Sequence, residues 1–486
     1  MTVNHFALRP LAWRSRHTAV ALLFATIVVG CAAPQSTQTA NLMVPVPDQW
    51  AALSGAHEAN ATSPDLAQWW QRFNGPKLTA LVSQALQANT EVRTARAALQ
   101  QSRALREGKA AGLGPNVGVS ASAQRSRSGG NDATESFQTG FDASWEPDVF
   151  GGQHSAVNAA EADAQAAQSS LAQVQVSMVA EVAVTYIELR GLQARLAIAR
   201  NNLAAQMETL QIARWRAQAG LASSLDVEQA VAASEQTSAQ IPSLLTSLAQ
   251  DFSSLAVLTG QPQIALQSGL TSDAARVGAV PLAPAYLAVA FPAQTLRQRP
   301  DVSAAEYRVS AALARVAQAD AARYPSFQIS GSLGLRSLTL GALTNGASVA
   351  QSLLAGISVP LFDGGAARAN VRAQEAALEQ SRLAYQATVL KALKDVEDAL
   401  VSLQGNTERL ARLQAAASAA ANADLLARQR YSSGLIDFRT VLDTQRTALS
   451  TQDAVEATRA SLSADHVRLY KALGGGWTPE AANETP

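Results

Sequence analysis

The chain has 486 residues, of which only 16% are charged, and its 38 basic side chains balance its 38 acidic ones. This balance gives no sign of the basic surface that nucleic-acid-binding proteins carry, so we expect no nucleic-acid partner. A charged share below the usual value of about 25% favours a protein that buries surface against copies of itself or against lipid.

The N-terminus has the features of a secretory signal peptide at residues 1–30. Arg9, Arg14 and Arg16 precede an almost wholly apolar stretch at 19–29, which is too short for a membrane-spanning helix. After residue 30 no run of 18 apolar residues occurs, so we expect no spanning helix in the mature chain.

Cys31 directly follows this segment and is the only cysteine of the chain, which excludes an internal disulfide. The sequence Val28-Val29-Gly30-Cys31 resembles the bacterial lipobox, in which the cysteine becomes the lipidated first residue of the mature protein. The alternative is an ordinary cleavage site followed by an incidental thiol. We expect residues 31–64, rich in Pro, Ser, Thr and Ala, to form an extended, lipidated N-terminal tether.

Residues 65–112 have apolar residues at helical spacing, with Asp65 as a possible cap, and predict one helix. Apolar and small or polar residues then alternate, which predicts a β-hairpin at 116–146 and a second one at 326–362, whose last strand is expected at 354–362. A sheet packed on a soluble core and a membrane barrel with strands of about 9–11 residues both produce this alternation.

Two stretches of extreme helical length follow the hairpins. Residues 153–219 and 366–433 contain no proline and one glycine each, and a helix of that length extends roughly 100 Å. Each is followed by a turn and a returning segment, which predicts helical hairpins at 153–259 and 366–473. Such lengths indicate coiled coils rather than a globular core.

The whole arrangement occurs twice. Arg214-Trp215-Arg216-Ala217-Gln218-Ala219-Gly220-Leu221 has its counterpart at 428–435, and other paired motifs recur at a nearly constant offset along the chain. We therefore predict two structural repeats, 65–275 and 276–477, followed by a C-terminal tail at 478–486. Four strands cannot close a barrel in lipid, whereas three copies would supply twelve.

The chain resembles the TolC family of outer-membrane efflux channels, and within it the lipidated NodT-type subgroup, over nearly the whole mature length. The resemblance rests on the lipobox, on the duplication and on several motifs: Trp69-Trp70-Gln71-Arg72-Phe73, Trp145-Glu146-Pro147-Asp148-Val149-Phe150-Gly151, Val359-Pro360-Leu361-Phe362-Asp363-Gly364-Gly365 and Val441-Leu442-Asp443-Thr444-Gln445-Arg446. It implies an α+β membrane protein, a homotrimer whose 12-stranded β-barrel in outer-membrane lipid continues as a long α-helical coiled-coil barrel. It also implies a passive duct that serves a periplasmic adaptor protein and an inner-membrane RND-type pump in exporting small molecules.

The resemblance assigns roles to the helix-to-helix turns and to one carboxylate. The turns would be adaptor-docking tips, with the alternative that they are turns only; their residues are Gly220, Leu221, Ala222, Gly434, Leu435 and Ile436. Asp443 matches the family's periplasmic aperture, where three carboxylates would repel one another and attract cations. Arg439, four residues earlier, is either a latch of this gate or one half of an exposed helical ion pair.

No motif for catalysis, metal binding or cofactor binding is present. His57, His154 and His466 are isolated, so we expect no enzyme activity, no metal and no cofactor. The acidic cluster of Asp395, Glu397 and Asp398 predicts a solvated or tunnel-facing stripe. Two other functions stay open: a coiled-coil scaffold lipoprotein without a channel, and the outlet of a type I secretion system. A scaffold has no need of two hairpins with lipid-like faces.

Overall fold

The computed structural model describes residues 45–53, 66–127, 129, 132–271, 280–282 and 292–477. The predicted signal peptide, Cys31, Asp65, His57 and the tail at 478–486 lie outside these residues. The chain divides into two compact units. Of the described residues, the strand unit contains those within 109–157 and 314–376, and the helical unit contains those within 45–108, 158–313 and 377–477. Each unit draws on both halves of the chain, so the predicted repeat boundary at 275–276 is not a boundary between compact units.

The order of elements in the first half of the chain is the order in the second half. The first half contains α1 (Pro76–Ala88), α2 (Thr90–Ala111), β1 (Asn116–Ser126), β2 (Thr134–Trp145), α3 (Gly152–Gln218), α4 (Ser224–Thr259) and the short α5 (Gln263–Thr271). The second half contains α6 (Pro292–Gln298), α7 (Pro300–Ala321), β3 (Ser326–Ser337), β4 (Val349–Ser358), α8 (Ala366–Ser432) and α9 (Phe438–Ala472). The helices α3 and α8 are both 67 residues long.

The four strands form one antiparallel sheet in the order β1-β2-β3-β4. Val119 pairs with Phe141 and Phe141 with Leu333, and two positions away from Leu333 on the same face Leu335 pairs with Val349. Direct partners in antiparallel strands lie on the same face, so the alternating apolar residues of all strands form one apolar face. Every residue of β1 and β4 is exposed, and a sheet packed on a core of its own chain is therefore wrong for the described residues.

The position of β4 corrects the expected strand at 354–362. A short 3₁₀ turn at Gly346–Ser348 leads directly into Val349, which pairs with Leu335. The strand therefore starts five residues earlier than expected and ends at Ser358. Leu361 and Phe362 follow the strand and are 94% and 93% exposed.

A carboxylate joins each hairpin to its long helix. Asp148 accepts hydrogen bonds from the backbone N–H of His154 at 2.7 Å and contacts its ring Nδ1 at 2.6 Å. Burial alone would raise the pKa of Asp148, but these hydrogen bonds outweigh it and lower the pKa. Asp363 accepts hydrogen bonds from the N–H groups of Gly365 and Ala367 in the same way, which lowers its pKa.

The expected single helix at 65–112 is broken at Asn89. The backbone of Asn89 is extended, and its Oδ1 accepts hydrogen bonds from the N–H groups of Glu91 and Val92 at the start of α2. Its Nδ2 donates to the carbonyl of Leu258 at 3.0 Å, near the end of α4. The Asn89 side chain thus caps the start of α2 and also forms a hydrogen bond with α4.

Arg299 occupies the corresponding break between α6 and α7. It donates to the carbonyl of Ala472 at 2.9 Å and contacts Asp301 and Asp395 at 2.6 and 3.2 Å. Asp395, which we expected in a solvated or tunnel-facing acidic stripe, is thus paired with Arg299. Glu397 of the same stripe accepts hydrogen bonds from the N–H groups of Ala51 and Ala52. Part of the predicted extended tether is thus docked on α8.

Aromatic residues form the centre of the helical unit. Trp69 has no exposed surface and stacks on Tyr470 with ring centroids 5.2 Å apart. The glycines after Ala472 end α9, since Gly474 has a φ of +79° and a Cβ on Gly475 would lie 3.0 Å from the Trp69 ring. This glycine run is a helix stop with an indole packed against it.

By length and composition alone, α3 and α4 are long and apolar enough to cross a membrane. Each contains an 18-residue window with a mean hydropathy of 1.2, of which 50% and 22% respectively is buried within the chain. At 67 residues α3 is roughly 100 Å long. A hydrocarbon core of about 30 Å would hold only a fraction of it.

Gly140 of β2 and Gly334 of β3 lie so close together that neither position has room for a side chain. A Cβ on Gly140 would lie 2.6 Å from the Cα of Gly334, whereas Gly118 has open space around it. We expect Gly140→Val to prevent assembly of the sheet, and Gly118→Val to be tolerated. The measurement is the amount of folded protein in membrane fractions. Equal amounts of the two variants would contradict the observed β2–β3 register.

Candidate functional site

The two helix-to-helix turns have the same backbone geometry. Gly220 and Gly434 have φ values of +73° and +74°. The N–H of Leu221 donates to the carbonyl of Arg216 at 2.8 Å, and the N–H of Leu435 donates to the carbonyl of Arg430 at 2.9 Å. Each glycine therefore ends its long helix in the left-handed conformation, and we call the turns tip 1 (219–223) and tip 2 (433–437).

The two returning helices are capped by different residues. In tip 1 Ser223 and Asp226 form a reciprocal capping box at the start of α4. In tip 2 Asp437 accepts hydrogen bonds from the backbone and hydroxyl of Thr440, which lower its pKa. Both carboxylates thus serve the helix starts.

The six predicted docking residues lie at these tips, three in each turn. Leu221 and Leu435 are 71% and 73% exposed, and Ala222 and Ile436 are half-buried. An exposed leucine at the end of each hairpin gives both tips an apolar contact point. Their role in docking an adaptor stays a prediction.

The last turns of α3 and α8, just before the two tips, are connected through Arg216, for which the sequence predicted no role. Its guanidinium lies 4.5 Å from the centre of the Tyr431 ring, and it donates to the carbonyl of Tyr431 at 2.9 Å. Tyr431 in turn packs against Phe438 with ring centroids 5.2 Å apart. The signal was present in the paired motifs, where arginine and tyrosine stand near equivalent positions.

A polar seam runs from this contact along α3 at intervals of seven residues. Its α3 members are Arg195, Asn202, Thr209 and Arg216, and they contact Asp453, Gln452, Gln445 and Tyr431 in that order. Seven residues are close to two helical turns, so the four side chains lie on one face. The seam holds the first helical hairpin against the second.

Asp443 lies on the exposed face of α9, just beyond tip 2. Its carboxylate is 3.8 Å from Nε of Arg439 and 3.6 Å from a terminal nitrogen of Arg446. The structure thus brings Arg439 and Asp443 together, and their gate role stays a prediction. Arg446 was missed, although its spacing of three residues from Asp443 was a readable signal.

A second acidic site lies further along the helices, in a groove of about 420 Å³. Glu188 of α3 and Asp251 of α4 line it, with Arg468 of α9 among the other lining residues. Burial raises the pKa of Asp251 to about 6, and the Glu188 carboxylate adds to this. Burial also raises the pKa of Glu188, opposed by Arg468.

Comparison with known proteins identifies the class. The family described as outer membrane efflux protein matches residues 81–261 and 291–475. The chain is 30% identical over 473 residues to the outer membrane protein OprJ of Pseudomonas aeruginosa, covering 94% of this chain and 95% of OprJ. It is 30% identical over 434 residues to the toluene efflux pump outer membrane protein TtgF of Pseudomonas putida, covering 87% and 88%.

Solved structures agree with this assignment. The outer-membrane channel OprN has a TM-score of 0.79 at 32% identity, with 90% of this chain and 99% of OprN covered. The outer membrane protein VceC of Vibrio cholerae has a TM-score of 0.76 at 25% identity, with 85% and 99% covered. The fold and the sequence define an outer-membrane channel of an efflux system. The chain belongs to the outer membrane efflux protein family, and it resides in the outer membrane.

The raised pKa of Asp251 predicts how the stability of the protein depends on pH. Its pKa is raised from 3.8 to about 6, so its ionisation opposes folding as the pH rises between these values. We expect Asp251→Asn to unfold at a higher temperature than the wild type near neutral pH, with no difference below pH 3.8. The measurement is thermal unfolding by circular dichroism, with Glu181→Gln, an exposed carboxylate on α3, as control. A constant difference across this range would contradict the pKa shift.

Proposed function

We propose that this protein is a homotrimer that forms a 12-stranded outer-membrane barrel and a helical tunnel. The main support for this proposal is the open four-stranded sheet. One of its faces is apolar, and all residues of β1 and β4 are exposed. Backbone groups at strand edges cannot stay unpaired in lipid, so the sheet must join others. Four strands per chain of 10 to 12 residues each suit a barrel built from three chains.

The helical tunnel follows from the same duplication. The two family matches, 81–261 and 291–475, are nearly equal in length, which supports a duplicated unit of two strands and one helical hairpin. Three chains would then contribute six hairpins to one tube. Long exposed apolar side chains on α8, among them Leu383, Leu390 and Leu425, supply contact surface for a neighbouring copy.

The proposed tube works as a passive duct for small molecules. The relatives OpmQ and TtgF are described as a pyoverdine export protein and as part of a toluene efflux pump. We infer a similar place for this chain, with a periplasmic adaptor at tips 1 and 2 and an RND-type pump in the inner membrane. The aperture would be formed by Asp443 and Arg439 of three chains.

The Arg216–Tyr431 contact predicts how the aperture is held. A cation–π contact contributes about 0.5–2 kcal/mol, and about 1.4 kcal/mol changes an equilibrium tenfold. We expect Arg216→Gln to increase the open probability in planar bilayers by about twofold to thirtyfold. Arg214→Gln, an exposed arginine two residues away, is the matched control and should leave it unchanged.

The outcomes of this measurement separate the possible functions. Absence of any conductance for wild type and Arg216→Gln, with folded trimers, would favour a scaffold lipoprotein. A type I secretion outlet would be favoured by three results together. The purified protein conducts, a deletion strain keeps its resistance to small toxic compounds, and the same strain loses a secreted protein. Increased sensitivity of the deletion strain to small compounds is the result expected here.

The expected lipidation of Cys31 can be tested separately. If it is the lipidated first residue of the mature protein, Cys31→Ser should abolish incorporation of radioactive palmitate. Cys31 is the sole cysteine, so labelling through another cysteine is impossible. Persistent labelling of Cys31→Ser, or absence of label in the wild type, would show that the segment is an ordinary signal peptide.

A further inference from the structure

We propose that β4 of one copy pairs with β1 of the next in the register that joins β2 to β3, with Ala355 opposite Ala123. The proposal rests on the homotrimer proposed above and adds the residue-by-residue structure of its subunit joint. It also assigns Leu361 and Phe362, which follow β4, to the surface of the neighbouring copy.

The contact between β2 and β3 joins the first hairpin of the sheet to the second, and β1 and β4 are left at the two edges. In a ring of copies, the second hairpin of one chain meets the first hairpin of the next through β4 and β1. This contact is therefore the counterpart of the β2–β3 contact. The two edge strands also run antiparallel there, because strand directions alternate along the sheet.

The duplication defines which residues of the two hairpins correspond. β1 and β3 each begin directly after a proline that ends the same type of turn. Val119 and Ile329 are each the fourth residue of their strand. Their partners are Phe141 of β2 and Ala355 of β4, which therefore also correspond to each other.

The β2–β3 register can then be transferred to the subunit joint. Phe141 pairs with Leu333, which is the eighth residue of β3. The eighth residue of β1 is Ala123. Since Ala355 corresponds to Phe141, it lies opposite Ala123 of the next copy.

The apolar face of the sheet supports the same register. A shift by one residue would turn the apolar side chains of β4 away from those of β1. In the transferred register Ile357 lies opposite Ala121, and both are exposed in the single chain. Towards the loops Leu353 lies opposite Arg125, which pairs with Glu135 of its own chain at 3.5 Å. On the other face the register pairs small residues: Gly356 with Ser122, and Ser358 with Ser120.

An aromatic residue after β2 covers the start of β3 within the chain. Phe150 stacks on Tyr324 and Phe327 with ring centroids 5.0 and 6.3 Å away. The β2–β3 joint is thus closed by an apolar contact beyond its last paired residues.

The segment after β4 offers the same kind of contact to a neighbouring copy. Leu361 and Phe362 follow β4 as Phe150 follows β2, and they are almost fully exposed. At the start of β1, Gly114 and Val117 stand where β3 has its two aromatic residues. Val117 is exposed, and Gly114 leaves the place of the tyrosine ring open. Bulky side chains of one copy therefore match an apolar surface with open space on the next.

Cysteine cross-linking of the full-length protein in isolated outer membranes tests the register. We expect Ala355→Cys/Ala123→Cys or its neighbour Leu354→Cys/Gln124→Cys to form a covalent trimer on oxidation, which reduction reverses. Neighbouring pairs alternate between wide and close spacing, so one of the two is close. β1 and β4 of one chain are three strand spacings apart, about 14 Å, so a disulfide within the chain is impossible.

The matched control is Ala355→Cys/Ala121→Cys, which shifts one cysteine by two residues along β1. Its Cα atoms would lie about 7–8 Å apart, too far for a disulfide, so we expect no covalent trimer. The wild type, oxidised in the same way, gives any background from Cys31. A covalent trimer from the shifted pair alone overturns the register while the channel stands.

A second measurement tests the segment after β4. We expect Leu361→Ala/Phe362→Ala to lower the temperature at which the trimer dissociates in detergent, because apolar contact between copies is lost. Leu338→Ala/Leu340→Ala, two exposed leucines after β3, should leave this temperature unchanged. An unchanged temperature in the first variant shows that Leu361 and Phe362 contact lipid, and overturns their assignment.

Failure of this inference differs from failure of the proposed trimer. Trimers detected by light scattering, with no covalent trimer from either predicted pair, overturn the register alone. A wild type that stays monomeric in membranes and in detergent overturns the proposed trimer and this inference together.

Discussion

The polar seam of α3 is the interaction on which the register of the helical unit depends. The long helices are rich in alanine, and small side chains pack almost equally well after a shift along the helix axis. Arg195, Asn202, Thr209 and Arg216 remove this freedom, because each has a specific partner on the second hairpin. The buried Thr209–Gln445 hydrogen bond resembles the polar core positions that fix register in coiled coils, where a shift leaves buried polar groups unpaired.

Specific polar contacts also fix the breaks in the shorter helices. Asn89 and Arg299 occupy equivalent breaks in the two halves of the chain, and each donates to a carbonyl near the end of the returning helix of its own half. The acceptors Leu258 and Ala472 are separated along the chain by nearly the same offset as the two donors, so the contacts are equivalent in the duplicated arrangement. Asn89 is neutral, whereas Arg299 requires Asp301 and Asp395 to compensate its buried charge.

The two helical hairpins share the backbone of their turns and differ in the side chains that follow. The glycine turns are nearly identical in backbone, since a left-handed residue is needed wherever a long helix reverses. Arg439 and Asp443 are exposed, so a change of either side chain costs little stability. Leu225 and Gln229 of the first hairpin correspond to Arg439 and Asp443 of the second, so these two positions are charged in the second hairpin and uncharged in the first. A tube built from both copies would have alternating hairpins with distinct electrostatic properties.

The sequence by itself determined the elements whose signals are local. Proline-free stretches with a single glycine predict α3 and α8, and period-two alternation predicts β1, β2 and β3, because helix and strand periodicity appear in any short window. Tertiary structure decided the start of β4, the helix breaks at Asn89 and Arg299, and the pairing of Asp395 with Arg299. It also decided the contact of Arg216 with Tyr431. These features depend on partners far along the chain, and no short window of the sequence contains both members of such a pair together with their geometry.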